Sequence, residues 1–256
     1  MNYFRVIIPS YNNGKLLKRA VDSVKAQTFK DYSLLVVDDC SDDLESIKTL
    51  TELDAPYVSL EEKAYNGGAR NRGMDLAPDA LYTLFLDADD AFIDENLFAE
   101  LNGFIEMMDR PDIIRLPLMV VDETGKASDM TKGILENEHN LVDLAGSMWV
   151  ACWTKCVKTK KLVKFPENTL MEDVVQHLAQ CDVVDSYAAF PRAFCKWYRY
   201  PNKTTSTDNS PKWKSSAYRY MADLMDLKLN RQYTEDRRHA RIIELKHNLN
   251  KGLYLQ

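Results

Sequence analysis

Apolar and polar positions follow two alternating patterns along the first half of the chain. Short apolar runs, typical of buried strands, are separated by segments in which apolar residues recur every three or four positions, as on one face of a helix. The predicted strands are residues 4–8, 33–38, 57–60, 81–86 and 113–118, and the predicted helices are residues 15–26, 44–53, 69–76 and 96–108. Because strand, helix and strand repeat in this order, we predict an α/β fold whose mostly parallel sheet is covered by helices.

The second half has a less regular pattern. We predict a hairpin at residues 120–127, strands at 148–155 and 194–200, a helix at 171–180 and two amphipathic helices from residue 213 onward. The apolar stripes of the last two helices comprise Tyr218, Met221, Leu224, Met225, Ile242, Leu245 and Leu249. We interpret these stripes as core or as a homo-oligomer contact rather than as a membrane-surface face. The pattern divides the chain into units 1–118, 119–211 and a C-terminal helical extension, 212–256.

The composition is that of a globular protein. The 256 residues are 45% hydrophobic, which is enough for one large core or two packed subdomains. No apolar stretch approaches the roughly 20 residues of a membrane-spanning helix, and the start lacks the apolar region of a secretory signal, so we expect a cytoplasmic protein. The five cysteines are an odd number, which favours reduced thiols. Cys152 and Cys156 lack the second ligand pair that a zinc site needs.

The net charge of −6 conceals an asymmetry between the two halves of the chain. Residues 1–150 carry 14 basic and 28 acidic side chains, whereas residues 151–256 carry 19 basic and 11 acidic ones. The acidic half suits a bound cation. The basic half, in which aromatic residues are interleaved, suits an anionic partner.

Three carboxylates follow one of the predicted strands, where ligands of such sheets bind. Asp87, Asp89 and Asp90 come directly after the apolar residues 84–86. Like charges this close repel one another unless donors or a cation neutralise them, and carboxylate oxygens suit Mg²⁺ or Mn²⁺. A metal bridging two phosphate oxygens there would act as a Lewis acid toward a departing nucleoside diphosphate. The alternative is that Asp90 or Asp94 caps the helix that follows.

Four segments, in this order along the chain, resemble the family 2 glycosyltransferases of the GT-A fold. They are VIIPSYN at 6–12, LVVDDCS at 35–41, NGGARN at 66–71 and LDADD at 86–90, and the match is close over about residues 3–92. The resemblance implies a GT-A nucleotide-sugar-binding fold. It also implies an inverting transfer of one sugar from a UDP-sugar to an acceptor hydroxyl, with Mn²⁺ or Mg²⁺ as the cofactor.

The resemblance assigns donor binding to residues of these segments, namely Pro9, Tyr11, Asp39, Asn66, Arg70 and Asp87. Asp39 would accept a hydrogen bond from the uracil imide, beside a base and ribose pocket lined by Pro9 and Tyr11. The alternative is that Asp39 and Ser41 only turn the chain and cap the helix at 44–53.

The Gly-Gly step of the third segment is assigned to the diphosphate. Gly67 and Gly68 would let the backbone approach closely before a helix N-terminus that favours anions, and Arg70 would add a charged fork suited to phosphate. Alternatively, the glycines form a simple turn and Arg70 is a solvated side chain.

The family's D-x-D signature maps to Asp87 and Asp89. The resemblance makes Asp89 the direct metal ligand and places Asp87 closer to the ribose or to a metal-bound water, with Asp90 as a helper. Some relatives add a His ligand from a later loop, but residues 192–211 contain none, so diphosphate and water would complete the coordination.

Residues 171–174 resemble the family's Glu-Asp element. The resemblance makes Asp173 the catalytic base and Glu172 a neighbour that orients the base or binds the acceptor. An inverting displacement needs such a carboxylate to take the acceptor proton on the face opposite the leaving group. Alternatively, both acids only stabilise the helix N-terminus. We interpret His177, on the same helix, as a packing residue.

Residues 196–206 resemble the strand and loop that close over donor and acceptor in this family. They would bring Arg199 or Lys203 to the charge of the leaving group, and the alternative is a mobile surface loop. The chain has no Gln-x-x-Arg-Trp element of the kind found in processive synthases, which favours transfer of a single sugar.

The sequence leaves the acceptor open. We expect a glycan or glycoconjugate. The alternative is an anionic acceptor, a hydroxymethylated base of DNA, because the basic half interleaves Lys and Arg with aromatic residues; the acidic net charge of the whole chain argues against it. A second alternative is a nucleotide-sugar-binding protein without turnover. The absence of G-x-G-x-x-G and P-loop motifs argues against dinucleotide-dependent oxidoreductases and P-loop enzymes.

Overall fold

The computed structural model describes residues 1–147, 150–167, 169, 171–200 and 211–250, without the side chains of 211–217 and 249–250. The described strands are β1 (Asn2–Ser10), β2 (Tyr32–Asp38), β3 (Tyr57–Ser59), β4 (Ala80–Phe85), β5 (Ala91–Phe92), β6 (Ile113–Arg115), β7 (Leu118–Val121), β8 (Ala127–Asp129), β9 (Lys155–Lys158), β10 (Tyr187–Ala189) and β11 (Cys195–Tyr198). The described helices are α1 (Lys15–Lys25), α2 (Leu44–Glu52), α3 (Tyr65–Leu76), α4 (Leu97–Met107), α5 (Thr131–Asn137), α6 (Leu141–Ala145), α7 (Glu172–Val183), α8 (Pro211–Asp226) and α9 (Gln232–Asn250).

A seven-stranded sheet in the order β10-β6-β9-β4-β1-β2-β3 forms the centre of the molecule. β1 runs parallel to β2 and β4, whereas β9 is antiparallel to both of its neighbours. Both faces of β1 are covered, since Ile7 and Ile8 point to opposite faces and both are fully buried. The predicted α/β fold is therefore confirmed. β9 and β10 lie within residues 119–211, so the first two predicted units build this sheet together.

The helices that flank the sheet pack in two ways. α1 buries one face, at the three- and four-residue spacing that predicted it: Leu17, Ala20, Val21 and Val24. α3 instead approaches the sheet closely through Gly73, where an added Cβ would lie 2.4 Å from Cγ2 of Ile7. This close approach fixes α3 beside the carboxyl ends of β1 and β2.

The segment predicted as one strand at 113–118 forms two strands in different sheets, so that prediction was wrong. β6 ends at Arg115 and β7 begins at Leu118, because Pro117 between them lacks the N–H that a continuing ladder needs. The Pro117 carbonyl accepts a hydrogen bond from Phe194 N at 2.8 Å. β7 then joins a four-stranded sheet in the order β5-β11-β7-β8.

Two other predictions for the second half have different outcomes. The hairpin predicted at 120–127 is confirmed as the antiparallel pair β7 and β8. The strand predicted at 148–155 is wrong: its first two residues lie outside the described part of the chain, and Cys152–Thr154 forms a 3₁₀ turn before β9. Thr154 Oγ1 donates to the Ala151 carbonyl at 2.6 Å, a local bond that favours the turn over a strand ladder.

The two C-terminal helices pack on α7. The apolar cluster that joins the three helices consists of Val174, Val175, Leu178, Tyr220, Leu224 and Leu245, with Met221 and Ile242 partly buried against it. The interpretation of the C-terminal stripes as core is confirmed for the stripe residues of this cluster. Tyr218 and Met225 are instead 51% and 58% exposed, and the Leu249 side chain lies outside the described part. Within the described ranges, none of the helices combines the length and apolar character that crossing a membrane requires.

Candidate functional site

The carboxyl ends of three neighbouring parallel strands meet at one edge of the large sheet. Ser10 at the end of β1 pairs with Asp38 at the end of β2, and Leu86 N, just beyond β4, donates to the Ile7 carbonyl at 3.1 Å. The predicted donor-binding residues that directly follow these strands lie at this edge: Tyr11, Asp39 and Asp87. The edge is therefore the place where a ligand of an α/β sheet is expected.

Asp39 is buried between the end of β2 and the start of α3. Its backbone N–H donates to the Ser10 carbonyl at 2.8 Å, and its Oδ1 accepts a hydrogen bond from Ala64 N at 2.6 Å. Burial raises the pKa of Asp39, while the Ala64 N–H and the Lys63 ammonium oppose the rise. The alternative that Asp39 caps α2 is wrong, because the cap is Asp43, whose side chain accepts an N–H of the first turn.

Tyr11 lies directly beyond β1, within which Pro9 is buried. The ammonium of Lys63 lies 2.9 Å from the centroid of the Tyr11 ring, a cation–π contact. Asn12 lies in the turn between Tyr11 and α1 and has a left-handed φ of 51°. Its Nδ2 donates a hydrogen bond to Asp42 Oδ1, and its Oδ1 accepts one from Asp42 N. Sequence reasoning missed Lys63, because nothing in a polar loop marks which lysine folds back onto an aromatic ring.

Arg70 joins α3 to two carboxylates from different parts of the chain. Its Nη2 lies 2.8 Å from Asp87 Oδ1 and its Nη1 lies 2.5 Å from Glu172 Oε1. The Arg70 side chain is only 3% exposed, so the interpretation of Arg70 as solvated is wrong. Both terminal nitrogens are therefore paired with carboxylates, and the expected contact of Arg70 with a diphosphate stays a prediction.

The first turn of α3 lies against the segment that precedes α7. An added Cβ on Gly67 would lie 2.3 Å from the Pro166 carbonyl oxygen, so glycine is required there. Asn71 reinforces the contact, since its Nδ2 donates to the Phe165 carbonyl at 2.9 Å and its Oδ1 accepts from Phe165 N at 2.8 Å. The predicted close approach at Gly67 thus occurs, but its partner is the protein's own backbone. Asn66 is exposed in the same turn.

The three acids after β4 have different surroundings. Asp87 is 30% exposed on its ion pair with Arg70, and Asp89 is half-buried. Asp90 is 1% exposed, and its Oδ1 accepts a hydrogen bond from Tyr198 N at 3.0 Å. Burial beside Asp87 and Asp89 raises the pKa of Asp90 well above its ordinary value. Asp90 thus anchors the end of β11, and its expected role as a metal helper stays a prediction.

The carboxylates at this edge could hold a divalent ion in part. Among the described residues, no three His, Cys, Asp or Glu side chains are gathered closely enough to hold a metal ion. Asp87 and Asp89 are the partly exposed carboxylates of the D-x-D segment. Mg²⁺ is commonly held by one or two carboxylates together with substrate phosphates and water, so this donor set is compatible with a metal–nucleotide complex.

Glu172 and Asp173 begin α7, which confirms the helix predicted at 171–180. Glu172 is buried on its ion pair with Arg70, whereas Asp173 is half-buried. Burial raises the pKa of both carboxyls, and the Arg70 charge opposes the rise. Glu172 is therefore held in its ion pair with Arg70, whereas Asp173 is the more exposed of these two acids.

A buried lysine and histidine lie behind this helix. Lys155 Nζ donates to the Val150 carbonyl at 2.6 Å and to His177 Nδ1 at 3.0 Å, and His177 Nε2 donates to the Leu144 carbonyl at 2.9 Å. Burial lowers the pKa of Lys155 to about 8. The Lys155 charge in turn opposes the rise in the pKa of Asp173. The interpretation of His177 as a packing residue is confirmed. Sequence reasoning missed Lys155, although a lone cation within the mostly apolar residues 150–157 was a usable signal.

The residues expected at the leaving group are only partly described. Arg199 is exposed just beyond β11, where its guanidinium carbon lies 5.8 Å from the centroid of the Trp197 ring. Its backbone N–H donates to the Val121 carbonyl at 2.9 Å, so it lies beside the four-stranded sheet. Lys203 lies outside the described residues.

Comparison with known proteins identifies relatives of the first half of the chain. Residues 5–112 match the family model described as Glycosyl transferase family 2. The poly(ribitol-phosphate) β-N-acetylglucosaminyltransferase TarP of Staphylococcus aureus is 35% identical over 96 residues, which cover 35% of this chain and 29% of TarP. The chain spans about a third of the length of the curated relatives that it matches first.

Two solved structures extend the likeness to almost the whole chain. S. aureus TarS in complex with UDP-GlcNAc has a TM-score of 0.72 and 20% identity, covering 96% of this chain and 73% of that chain. The mannosyltransferase PcManGT from Pyrobaculum calidifontis, in complex with GDP-Man and Mn²⁺, has a TM-score of 0.63 and 14% identity. The match covers 94% of this chain and 69% of the PcManGT chain. The predicted GT-A fold is therefore confirmed. Residues 5–112 are thus similar to the family 2 glycosyltransferases, and the likeness in fold extends over almost the whole chain.

Proposed function

We propose that this protein is a metal-dependent, inverting glycosyltransferase that moves one sugar from a UDP-linked donor to an acceptor hydroxyl. The observation that carries the proposal is the Arg70 bridge, which ties Asp87 at the strand edge to Glu172 at the start of α7. Asp87, which would bind the donor, thus lies near Glu172, whose neighbour Asp173 would activate the acceptor. The UDP-GlcNAc complex of TarS supports a UDP-linked donor.

The donor base would lie between Tyr11 and Asp39. The buried Asp39 carboxylate would accept a hydrogen bond from the uracil imide N–H, and Pro9 and Tyr11 would line the pocket for base and ribose. A hydrogen bond to a charged acceptor is stronger in a buried site than in water. Asp39 would therefore favour a base that presents an N–H toward its carboxylate. Asn66, exposed at the start of α3, would contact the diphosphate of the donor.

Asp89 and Asp87 would hold Mn²⁺ or Mg²⁺ together with the donor phosphates. When bound, the ion supplies Lewis-acid neutralisation of the charge that develops on the departing UDP. The Mn²⁺ complex of PcManGT supports a divalent ion in this fold. Arg70 keeps the Asp87 carboxylate in a fixed orientation, so that little reorganisation is needed as the donor binds.

Asp173 would act as the general base. As the bond from the anomeric carbon to UDP breaks, the acceptor oxygen bonds to the opposite face of that carbon and its proton passes to the Asp173 carboxylate. Burial raises the pKa of Asp173 and so makes it a better proton acceptor than a solvated carboxylate. Glu172 is held by Arg70 and would orient the base.

The acceptor that fits the family is a glycan or glycoconjugate. TarP, by its name, acts on poly(ribitol-phosphate), a polymer rich in phosphate, and the excess of basic residues in 151–256 suits such an anionic chain. Arg199 and Lys203 are candidates to contact it or the leaving diphosphate. Transfer to a hydroxymethylated base of DNA is the second candidate. A DNA retardation gel at two salt concentrations separates the two, because binding through phosphates weakens steeply with salt.

The proposal is tested by thermal shift and turnover with a panel of nucleotide sugars. We expect a UDP-sugar with Mn²⁺ to raise the melting temperature and to be consumed with release of UDP. Asp89→Asn should lose both effects, while Asp129→Asn, an exposed acid on β8, should behave as wild type. Binding without turnover on any acceptor would leave the non-catalytic alternative, and an unchanged Asp89→Asn variant would contradict the metal site.

A further inference from the structure

Arg19, on α1, contacts the loop that carries Asp87 and Asp89. Its Nη2 donates hydrogen bonds to the backbone carbonyl of Asp89 and to the hydroxyl of Tyr200, the latter at 2.8 Å. Its guanidinium carbon lies 3.8 Å from the centroid of the Tyr198 ring. One cation therefore joins α1, the loop after β4 and the end of β11.

A second link holds the same two segments together. The Asp90 carboxylate accepts a hydrogen bond from Tyr198 N at 3.0 Å, so the backbone of Tyr198 and its ring are held by Asp90 and Arg19, respectively. The Asp89 residue lies between these two links, since Arg19 holds its carbonyl and Asp90 is its neighbour. The backbone on both sides of the Asp89 side chain is thus held against β11 and its end.

One nitrogen of the Arg19 guanidinium makes no hydrogen bond to the described residues. Its Nε is buried without a hydrogen-bond partner in the part of the chain that the structure describes. A buried donor left unpaired costs stability, so the side chain is held in a position that other contacts determine. Those contacts are the Asp89 carbonyl and the two tyrosines of β11 and its end, Tyr198 and Tyr200.

We propose that Arg19 is a positioning residue for the binding of metal and nucleotide. By fixing the Asp89 carbonyl against the end of β11, Arg19 sets the orientation from which the Asp89 carboxylate meets the ion. The inference rests on the proposed function, because it assumes that Asp89 is a metal ligand. Lysine is a poor substitute, since its compact ammonium lacks the flat face that stacks on Tyr198 and the fork that serves two acceptors.

The test is the affinity of Mn²⁺ in the presence of saturating UDP, measured from the electron paramagnetic resonance signal of unbound Mn²⁺. We expect Arg19→Met to raise the Mn²⁺ dissociation constant about tenfold, a loss of roughly 1.4 kcal/mol. Tyr200→Phe removes one hydrogen bond and should raise it about threefold. Arg19→Lys should fall between Arg19→Met and wild type. Lys18→Met, the exposed neighbour on α1, should match wild type.

The variants separate failure of this inference from failure of the proposed function. If Asp89→Asn binds Mn²⁺ and UDP as wild type does, the proposed metal site is wrong and the inference falls with it. If Asp89→Asn loses binding while Arg19→Met and Tyr200→Phe keep wild-type affinity, only the role of Arg19 is wrong. Should Arg19→Met fail to fold, Tyr200→Phe, which removes a single oxygen, decides the question.

Discussion

Arg70 pairs with carboxylates that are far apart in the sequence, and the whole guanidinium is shielded from water. Such a buried pair differs from the surface pairs of this protein, for example Arg192 with Asp94 and Glu100, whose side chains are about one-third to one-half exposed. The difference in burial decides the energy, because removing one partner of a buried pair leaves the other charge without compensation.

We therefore expect Arg70→Met to lower the free energy of unfolding by about 3–5 kcal/mol and to abolish turnover. The matched control, Arg192→Met, should cost about 1 kcal/mol or less, because its pairs are screened by solvent. Chemical denaturation of both variants checks the prediction. Equal losses in the two variants would contradict the role given to the buried bridge.

We expect Lys155 to influence the pH dependence of turnover through the pKa of Asp173. Its positive charge favours the ionised form of Asp173, so Lys155→Met should raise the pKa of Asp173 further. The acid limb of the pH profile of kcat/KM, where the base becomes protonated, should then move to higher pH. Lys164→Met removes the same charge from an exposed pair with Asp75 and should leave the limb in place. An unmoved limb in Lys155→Met would contradict the coupling.

Lys155 should also leave a signature in stability. Burial lowers its pKa from 10.5 to about 8, so between these values the unfolded chain binds more protons than the folded one. Its contribution to the free energy of unfolding should therefore rise as the pH increases from 8 to 10.5. The measurement is the difference between wild type and Lys155→Met, which removes the background of other titrating groups. A difference that stays constant across this range would contradict the lowered pKa.

The sequence identified those site residues whose own neighbours form a recognisable pattern. Asp87 and Asp89 end an apolar run, and Glu172 and Asp173 precede a helical pattern, so each could be found from its own neighbours. Lys63 and Arg19 could not be found in this way, because their partners lie in other elements. The burial of Asp90 against Tyr198 could not be predicted for the same reason, because it depends on β11, over a hundred residues later.

At the scale of elements, the contact of α3 with the segment before α7 positions the site. Gly67 permits it, so Gly67→Ala should push the Pro166 carbonyl away and lower the free energy of unfolding by about 1–3 kcal/mol. It should also impair turnover, since Arg70 and Glu172 are joined across this contact.

The control is a helical glycine with open space around it. Gly103, within α4, has no atom within 4 Å of an added Cβ, so Gly103→Ala should raise stability by about 0.5–1 kcal/mol. Thermal denaturation of the two variants gives the comparison. Equal changes in stability for Gly67→Ala and Gly103→Ala would show that the backbone at Gly67 does not lie close to Pro166.

The pattern of the chain predicted long elements and missed short ones. Strands β1, β2 and β4 and helices α1 to α4 were found because each presents several turns or pleats of regular spacing. β5 and β10, with two and three residues, are too short to show a period. The division of 113–118 into β6 and β7 depends on Pro117, which a continuous apolar run conceals.

At the scale of the molecule, the C-terminal helices complete the second half through α7. Leu224 is fully buried in the cluster that joins the three helices, whereas Met225, its neighbour on α8, is 58% exposed. Leu224→Ala should lower the free energy of unfolding by about 2–5 kcal/mol, and Met225→Ala should change it by less than about 0.5 kcal/mol. Equal effects of the two substitutions, measured in urea, would contradict the packing of α8.

A homo-oligomer through the C-terminal helices stays a prediction. Tyr218, Met225 and Ile243 are exposed apolar residues on α8 and α9 and are the candidates for such a contact. If they form it, Ile243→Glu should shift the sedimentation coefficient toward that of the monomer. The prediction fails if wild type sediments as a monomer at all concentrations.

The central claim, that Asp173 takes the acceptor proton while other residues hold the donor, is tested most directly by Asp173→Asn. The measurement pairs UDP release from the preferred UDP-sugar with the affinity for UDP and Mn²⁺. We expect turnover to fall by about a hundredfold or more while affinity for the nucleotide stays within about threefold of wild type. Wild-type turnover in Asp173→Asn would contradict the account.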